Sequence, residues 1–244
     1  MNARLLVLDA ATETLHLGLA ADGRCLLRAL PGGAQASAAL LPGLLGLLHE
    51  AGIGLHELDA IAFGRGPGAF TGVRAACAVT QGLAFGAALP VIALDTLLAV
   101  AEDARRQGAG ADLWVAVDAR MGEVYAAHYR HDGSRWIELA APALHAPATL
   151  ARRIAAEPAP TQIAGSSLLA HASAWTEAAL PRWSDAVPRA GALLALAQAA
   201  WARGERLDAA QALPLYVRDK VAQTTAERSA ALLGATQAGA GGLR

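Results

Sequence analysis

The chain has 244 residues, of which 55% are hydrophobic and 17% are charged, and its formal net charge is −1. A chain of this length forms one large domain or two smaller lobes, each with its own core. The near-neutral charge excludes the strongly basic surface with which a protein grips nucleic acid alone, so any RNA contact should be shared with a partner. We expect Cys25 and Cys77 to be small buried residues in a reducing compartment rather than a disulfide.

The beginning of the chain does not resemble a secretion signal, because Asp9 interrupts its first apolar run. No uninterrupted apolar stretch reaches the length that spans a membrane. These features predict a cytoplasmic protein without a membrane partner.

The first half of the chain alternates between short apolar runs and helical patterns. An apolar run at 5–8 ends at Asp9, and a second run at 15–20 is followed by an Asp-Gly pair typical of a hairpin. In chain order the pattern then predicts a strand near 25–27, a helix at 36–51, a strand at 60–63, a helix from about 71 to 87, a strand at 91–93 and a helix at 96–107.

The second half repeats this order. An apolar run at 113–117 ends at Asp118, and the run at 124–129 is again followed by an Asp-Gly pair. A third apolar run, a helix and a strand then follow in the same order as in the first half. This repetition predicts an α/β fold of two lobes built on one plan. We assign residues 1–108 to the N-terminal lobe, 109–221 to the C-terminal lobe and 222–244 to a flexible tail.

A glycine-rich stretch from Gly64 to Arg74 separates the strand at 60–63 from the next helix. Glycine allows positive φ angles and close backbone approach, and the free amides at a helix start attract an anion or a carbonyl of the protein itself. Two interpretations stay open: a phosphate grip, and a tight turn that packs the helix on the sheet. The residues that define the loop geometry are Gly64, Gly66, Pro67, Gly68 and Gly72.

Two acidic turns follow the first strands of the two halves. In a duplicated fold they would face each other across a cleft, like the turns that hold a metal and nucleotide phosphates in the actin and sugar-kinase superfamily. A phosphate grip needs glycine or hydroxyl residues, whereas Ala10 and Ala11 occupy the first turn and Met121 crowds the second. We therefore expect a vestigial nucleotide cleft that contains Asp9, Thr12, Glu13, Asp118, Arg120 and Glu123.

The remaining reactive side chains do not form a recognisable catalytic or metal-binding set. His128 and His131 straddle the end of a strand, which separates their side chains. Ser166 and Ser167 follow a glycine at a strand end, where the start of a helix is a simpler interpretation than a nucleophile. We predict no catalytic residue and no metal ligand.

The helix at 36–51 has an apolar stripe of four leucines and little charge opposite it. The helix after the glycine loop carries small residues that permit close approach of another helix. Two interpretations follow: an exposed pair of helices that binds another protein, and a pair that is fully internal.

Three motifs of the chain resemble the TsaB family. They are Gly-Arg-Gly-Pro-Gly-Ala-Phe-Thr-Gly-Val-Arg at 64–74, Asp-Ala-Arg-Met-Gly-Glu-Val-Tyr at 118–125 and Pro-Leu-Tyr-Val-Arg at 214–218. The resemblance extends from about residue 5 to residue 218. It implies an actin-like, sugar-kinase-like (ASKHA) fold with two lobes, in agreement with the internal repetition.

The resemblance also implies a non-catalytic scaffold that forms a heterodimer with TsaD. In that family TsaD is the homologous subunit that holds the metal and transfers threonylcarbamoyl to the adenosine beside the tRNA anticodon. It further implies TsaE as a partner, ATP and a divalent metal on the partner subunits, indirect contact with tRNA, and a homodimer when TsaD is absent. The docking residues would be Leu41, Leu44, Leu45, Leu48, Phe70, Thr71, Arg74 and Ala78.

The chain departs from the family at 33–38. The catalytic relative carries two metal-binding histidines in the matching region, and this chain has none there. An alternative function is an ATP-dependent kinase or ATPase, which needs a working phosphate cleft between Asp9 and Asp118. A peptidase would need a nucleophile beside a base, and the sequence offers no such pair.

Overall fold

The computed structural model describes residues 3–157, 162–176 and 180–218, and the predicted tail at 222–244 lies outside them. The first half contains β1 (Leu5–Asp9), β2 (Thr14–Ala21), β3 (Arg24–Pro31), α1 (Ala36–Ala51), β4 (Ala60–Gly64), α2 (Phe70–Ala87), β5 (Val91–Leu94) and α3 (Thr96–Arg106). The second half contains β6 (Asp112–Asp118), β7 (Val124–His131), β8 (Trp136–His145), α4 (Pro147–Ala155), β9 (Gln162–Ala164), α5 (Ser167–Ala170), β10 (Arg182–Trp183) and α6 (Ala190–Ala202).

The strands form two five-stranded sheets with the same order. The first sheet runs β3-β2-β1-β4-β5 and the second runs β8-β7-β6-β9-β10. In each sheet the first strand pairs antiparallel with the second and parallel with the fourth of its half. The duplicated two-lobe α/β fold, actin-like and sugar-kinase-like, is therefore confirmed. The boundary at 108/109 stays a prediction.

The two sheets are each covered on both faces. Helices α1 and α2 pack on one face of the first sheet, and α6 packs on the other. Helices α4 and α5 cover the outer face of the second sheet, where Trp114 and Trp175 are buried, and α3 covers its inner face. Because α3 and α6 also contact each other, the two helices form the layer between the lobes.

The burial of α1 corrects part of the predicted docking set. Leu44 and Leu48 lie in the core of the first lobe, whereas Leu41 is 39% exposed and Leu45 is 47% exposed. The stripe is therefore divided between two sides of the helix, since each residue turns the side chain by about 100°. Leu44 and Leu48 cannot meet a partner without unfolding the lobe.

The two cysteines differ in their exposure to solvent. Cys25 lies exposed on the edge strand β3, so the expectation that it is buried is wrong, whereas Cys77 is buried in α2. Among the described residues, no helix is long and apolar enough to cross a membrane.

The neighbouring residues Leu44 and Leu45 offer a matched test of this packing. Leu44→Ala should lower the free energy of unfolding by about 2–5 kcal/mol, because it leaves a cavity in a fully buried site. Leu45→Ala should change it by no more than about 0.5 kcal/mol. Urea denaturation followed by circular dichroism measures both, and equal losses would contradict the assigned rotation of α1.

Candidate functional site

The glycine loop between β4 and α2 packs directly on the turn between β1 and β2. A Cβ atom on Gly64 would lie 1.8 Å from Asp9 Oδ2, and one on Gly72 would lie 1.9 Å from the carbonyl oxygen of Ala10. Side-chain carbons do not approach other atoms so closely, so the packing requires glycine at both positions. The loop and the helix that follows it are thereby pressed onto the first acidic turn.

The backbone amide that precedes α2 is used by the protein itself. Ala69 donates this hydrogen bond to the carbonyl oxygen of Ala11 over 2.8 Å. Gly68 permits the approach, since a Cβ atom there would lie 2.5 Å from the same oxygen. Gly66 adopts a φ of +97°, and its bond to Pro67 is cis. These contacts favour the tight packing turn over the phosphate grip.

Asp9 is fully buried beneath the loop. Its Oδ1 accepts a hydrogen bond from the amide of Ala11 (2.8 Å), and its Oδ2 accepts one from the hydroxyl of Thr96 (2.7 Å). The same hydroxyl accepts a bond from the amide of Gly66. Burial raises the pKa of Asp9 from 3.8 to about 6, although both hydrogen bonds favour the charged form. Asp9 therefore connects the end of β1, the glycine loop and the start of α3.

The second acidic turn reaches across to the first lobe. Asp118 Oδ1 lies 3.0 Å from His171 Nε2 and accepts a hydrogen bond from the amide of Arg120. Arg120 and Met121 have φ angles of +62° and +56°, a region that non-glycine residues seldom adopt. The guanidinium of Arg120 pairs with Glu13 over 2.7 Å. Both side chains are largely exposed, so this bridge contributes little to stability.

A cavity of about 690 Å³ lies between the two turns. It brings together four of the six predicted cleft residues, and Asp9 and Glu123 do not line it. The hydroxyl of Thr12 donates to the carbonyl of Thr14 within its own turn. Glu123 instead pairs with Arg218 over 2.9 Å. The walls include Thr12, Glu13, Phe70, Val100, Val117, Asp118, Arg120, Met121, Tyr125, Ala186, Val187 and Arg218.

His16 also lines this cavity and was not among the predicted residues. It is buried on β2, and its Nε2 atom has no hydrogen-bond partner among the described residues. Burial lowers the pKa of His16 to about 4, with a further contribution from the charge of Arg189, so the ring is neutral at pH 7. An ionisable residue inside an otherwise apolar run was the signal that could have identified it.

The other reactive side chains have structural partners. Within residues 3–157, 162–176 and 180–218, no three His, Cys, Asp or Glu side chains come together as a metal site. His128 Nε2 lies 2.6 Å from Asp112, and its ring stacks on Trp114. Ser166 directly precedes α5, but its hydroxyl accepts a hydrogen bond from the amide of Asp118 and does not cap that helix.

Helices α1 and α2 lie side by side and present an outer face with almost no charge. α1 contains one acidic residue, Glu50, and α2 contains one charged residue, Arg74. We call this surface the α1–α2 face; its exposed members are Leu41, Leu45, Thr71, Arg74, Ala78, Gly82 and Phe85. Five of the eight predicted docking residues belong to it. Phe70 is also an exposed member of the predicted docking set, and it lies beside the face at the start of α2.

Arg74 makes its contacts at the edge of the α1–α2 face. Its guanidinium carbon lies 3.9 Å from the centre of the Phe70 ring, and its Nε donates to the Tyr216 hydroxyl over 2.7 Å. Tyr216 belongs to the Pro-Leu-Tyr-Val-Arg motif at 214–218, and the sequence alone did not indicate its contact with Arg74. The late motif therefore reaches the predicted docking surface.

The raised pKa of Asp9 predicts a specific pH dependence. Between about pH 4 and pH 6 the folded protein keeps a proton that the unfolded chain releases, so the free energy of unfolding falls as pH rises and is level above pH 6. Asp9→Asn removes this titration. Relative to the variant, the wild type should lose about 2.5 kcal/mol of unfolding free energy between pH 4 and pH 7. Urea denaturation at each pH measures it; a constant difference would contradict the assignment.

A family model described as "TsaD: tRNA N6-adenosine threonylcarbamoyltransferase" matches residues 33–239. The tRNA threonylcarbamoyladenosine biosynthesis protein TsaB of Haemophilus influenzae is 33% identical over 234 residues, which cover 90% of this chain and 95% of that protein. TsaB of Escherichia coli is 40% identical over 129 residues, or 53% of this chain and 56% of that protein.

A solved structure agrees with these relatives. The crystal structure of an uncharacterized Pseudomonas aeruginosa protein with similarity to peptidase YEAZ superposes with a TM-score of 0.81 at 39% identity. The superposition covers 88% of this chain and 100% of that chain. Since the alignment with the H. influenzae protein spans nearly the whole of both sequences, this chain belongs to the TsaB family.

Proposed function

We propose that this protein is a non-catalytic subunit that forms a heterodimer with TsaD in tRNA threonylcarbamoyladenosine biosynthesis. The names of its relatives support a place in that biosynthesis. The α1–α2 face supports the role of a docking subunit, and it is the observation that carries the proposal. In this role the chain organises a transferase that resides on TsaD.

The chemistry of the α1–α2 face fits a protein partner. Surface helices usually carry charged side chains on their solvent side, whereas the exposed side here contains leucine, alanine, glycine and phenylalanine. Leu45 is 47% exposed and Phe85 is 61% exposed. Ala78 and Gly82 leave a shallow strip between them that lets another helix approach closely. Such a surface loses apolar contact with water when a partner covers it.

The acidic turns support a role without catalysis by this chain. Ala10 and Ala11 of the first turn lie buried against the glycine loop, and Ala69 already donates its amide to the carbonyl of Ala11. The second turn directs Arg120 at Glu13, where the pair occupies the opening between the lobes. The amides of Ala11 and Arg120 already donate to the aspartates of their own turns and are not available to nucleotide phosphates. ATP and a divalent metal would act on the partner subunits.

The proposed assembly includes other partners. TsaE would bind the complex, and tRNA would contact this chain only through it. Since TsaD is proposed to be a homologous subunit, the α1–α2 face could also pair two copies of this chain when TsaD is absent. The proposed location is the cytoplasm.

Size-exclusion chromatography with light scattering tests the heterodimer. The protein and TsaD from the same organism should give a new peak at the mass of a mixed complex. Leu45→Asp should weaken this complex by about 2 kcal/mol or more, because it places a charge in the apolar face. Leu169→Asp is a matched control, since Leu169 is 69% exposed on α5 in the other lobe. Equal binding by all three proteins would contradict the proposed surface.

An ATP-dependent kinase or ATPase is the alternative, and the cavity of about 690 Å³ between the acidic turns is the observation that favours it. Isothermal titration with Mg-ATP separates the two functions. A docking subunit should release no binding heat when it is alone. Saturable binding that Asp118→Asn abolishes would support the alternative and contradict the non-catalytic role.

A further inference from the structure

Arg74 occupies an unusual position for a charged residue. It is the one charged residue of α2 and lies among the small residues of the α1–α2 face. In the free protein its guanidinium rests on Phe70, and its Nε donates to the hydroxyl of Tyr216. A partner that covers this face removes water from the guanidinium, and a phenol oxygen alone does not replace the lost hydration.

Tyr216 belongs to a segment that touches both lobes, residues 212–218, which we call the strap. The carbonyl of Ala212 accepts a hydrogen bond from Gln81 on α2, and the amide of Leu215 donates to the carbonyl of Arg65 in the glycine loop (2.7 Å). The strap thus runs along α2 from its middle toward its first turn.

The far end of the strap is attached to the second lobe. The guanidinium of Arg218 donates to the carbonyl of Ala119 (3.0 Å) and pairs with Glu123 (2.9 Å), on the strained turn that bears Arg120. Arg218 is 13% exposed, so this attachment is better shielded from water than the exposed Arg120–Glu13 bridge. Only Val217 lies between Tyr216, at the proposed docking surface, and Arg218, which lines the cleft.

We propose that the strap is a latch between the lobes, which a carboxylate of the docking partner opens by taking Arg74 from Tyr216. This inference rests on the proposed function, because it needs a partner on the α1–α2 face. A carboxylate accepts two charge-assisted hydrogen bonds from a guanidinium, which are stronger than a single bond to a neutral phenol. Release of Tyr216 frees the middle of the strap, loosens Arg218 from the second lobe and lets the cleft widen.

Substitutions of Arg74 and Tyr216 should change the affinity for TsaD in opposite directions. Arg74→Gln should weaken the complex with TsaD by at least about tenfold, since it removes the charge that the carboxylate binds. Tyr216→Phe should strengthen the complex several-fold, because the partner no longer displaces the hydroxyl. If both substitutions weakened the complex, the two residues would share a structural role, and the proposal that a carboxylate replaces Tyr216 would be wrong. Leu213→Ala, on the same strap, should bind like the wild type.

Distance measurements between spin labels test the opening itself. Cys25 on β3 is exposed and accepts a label, whereas the thiol of Cys77 is buried and its pKa is raised to about 11, so it reacts slowly. Ala148→Cys supplies the second label on α4 of the other lobe, at an exposed position. The distance should lengthen when TsaD binds. Arg218→Gln should lengthen it without TsaD.

Light scattering on the same samples separates the proposed docking function from the proposed latch. A mixed complex with an unchanged distance would overturn the latch and leave the docking function intact. Absence of the complex would contradict the docking function and remove the latch with it. A longer distance in the complex and in Arg218→Gln, with Leu213→Ala unchanged, would support the latch.

Discussion

The structure of the first lobe depends on the contact between the glycine loop and the turn after β1. Gly64 and Gly72 leave no room for a side-chain carbon against Asp9 and Ala10, and the resulting approach lets the amide of Ala69 reach Ala11. This contact sets the angle at which α2 leaves the sheet. It also buries Ala10 and Ala11 of the first acidic turn.

Because α2 is held in this way, one side of it faces outward beside α1. Its buried side includes Ala76, Cys77 and Ala84, which pack in the core against the sheet. Its outer side carries Arg74, Phe85 and small residues such as Ala78. The loop that packs on the first acidic turn therefore also positions the surface that we propose for docking.

Much of this arrangement was predictable from local patterns. The order of the elements along the chain and their duplication follow from apolar periods and turn residues that lie close in sequence. The packing role of the glycine loop was one of two open interpretations. The sequence did not predict which leucines of α1 face the solvent. Leucines occur at 40, 41, 44, 45, 47 and 48, and no polar side marks the solvent face. The contact between Arg74 and Tyr216 joins residues 142 positions apart, and no local pattern reports such a pair.

The two halves share a strand order but have diverged in what lies outside their sheets. The first lobe carries helices of 16 and 18 residues, whereas the corresponding helices of the second, α4 and α5, have nine and four. α4 bears Arg152 and Arg153, so its surface is charged where α1 is apolar. A protein that bound partners equally through both lobes would need two long apolar faces. The asymmetry supports our proposal that docking uses the first lobe, while the second lobe forms the far side of the cleft, where its turn contacts Arg218.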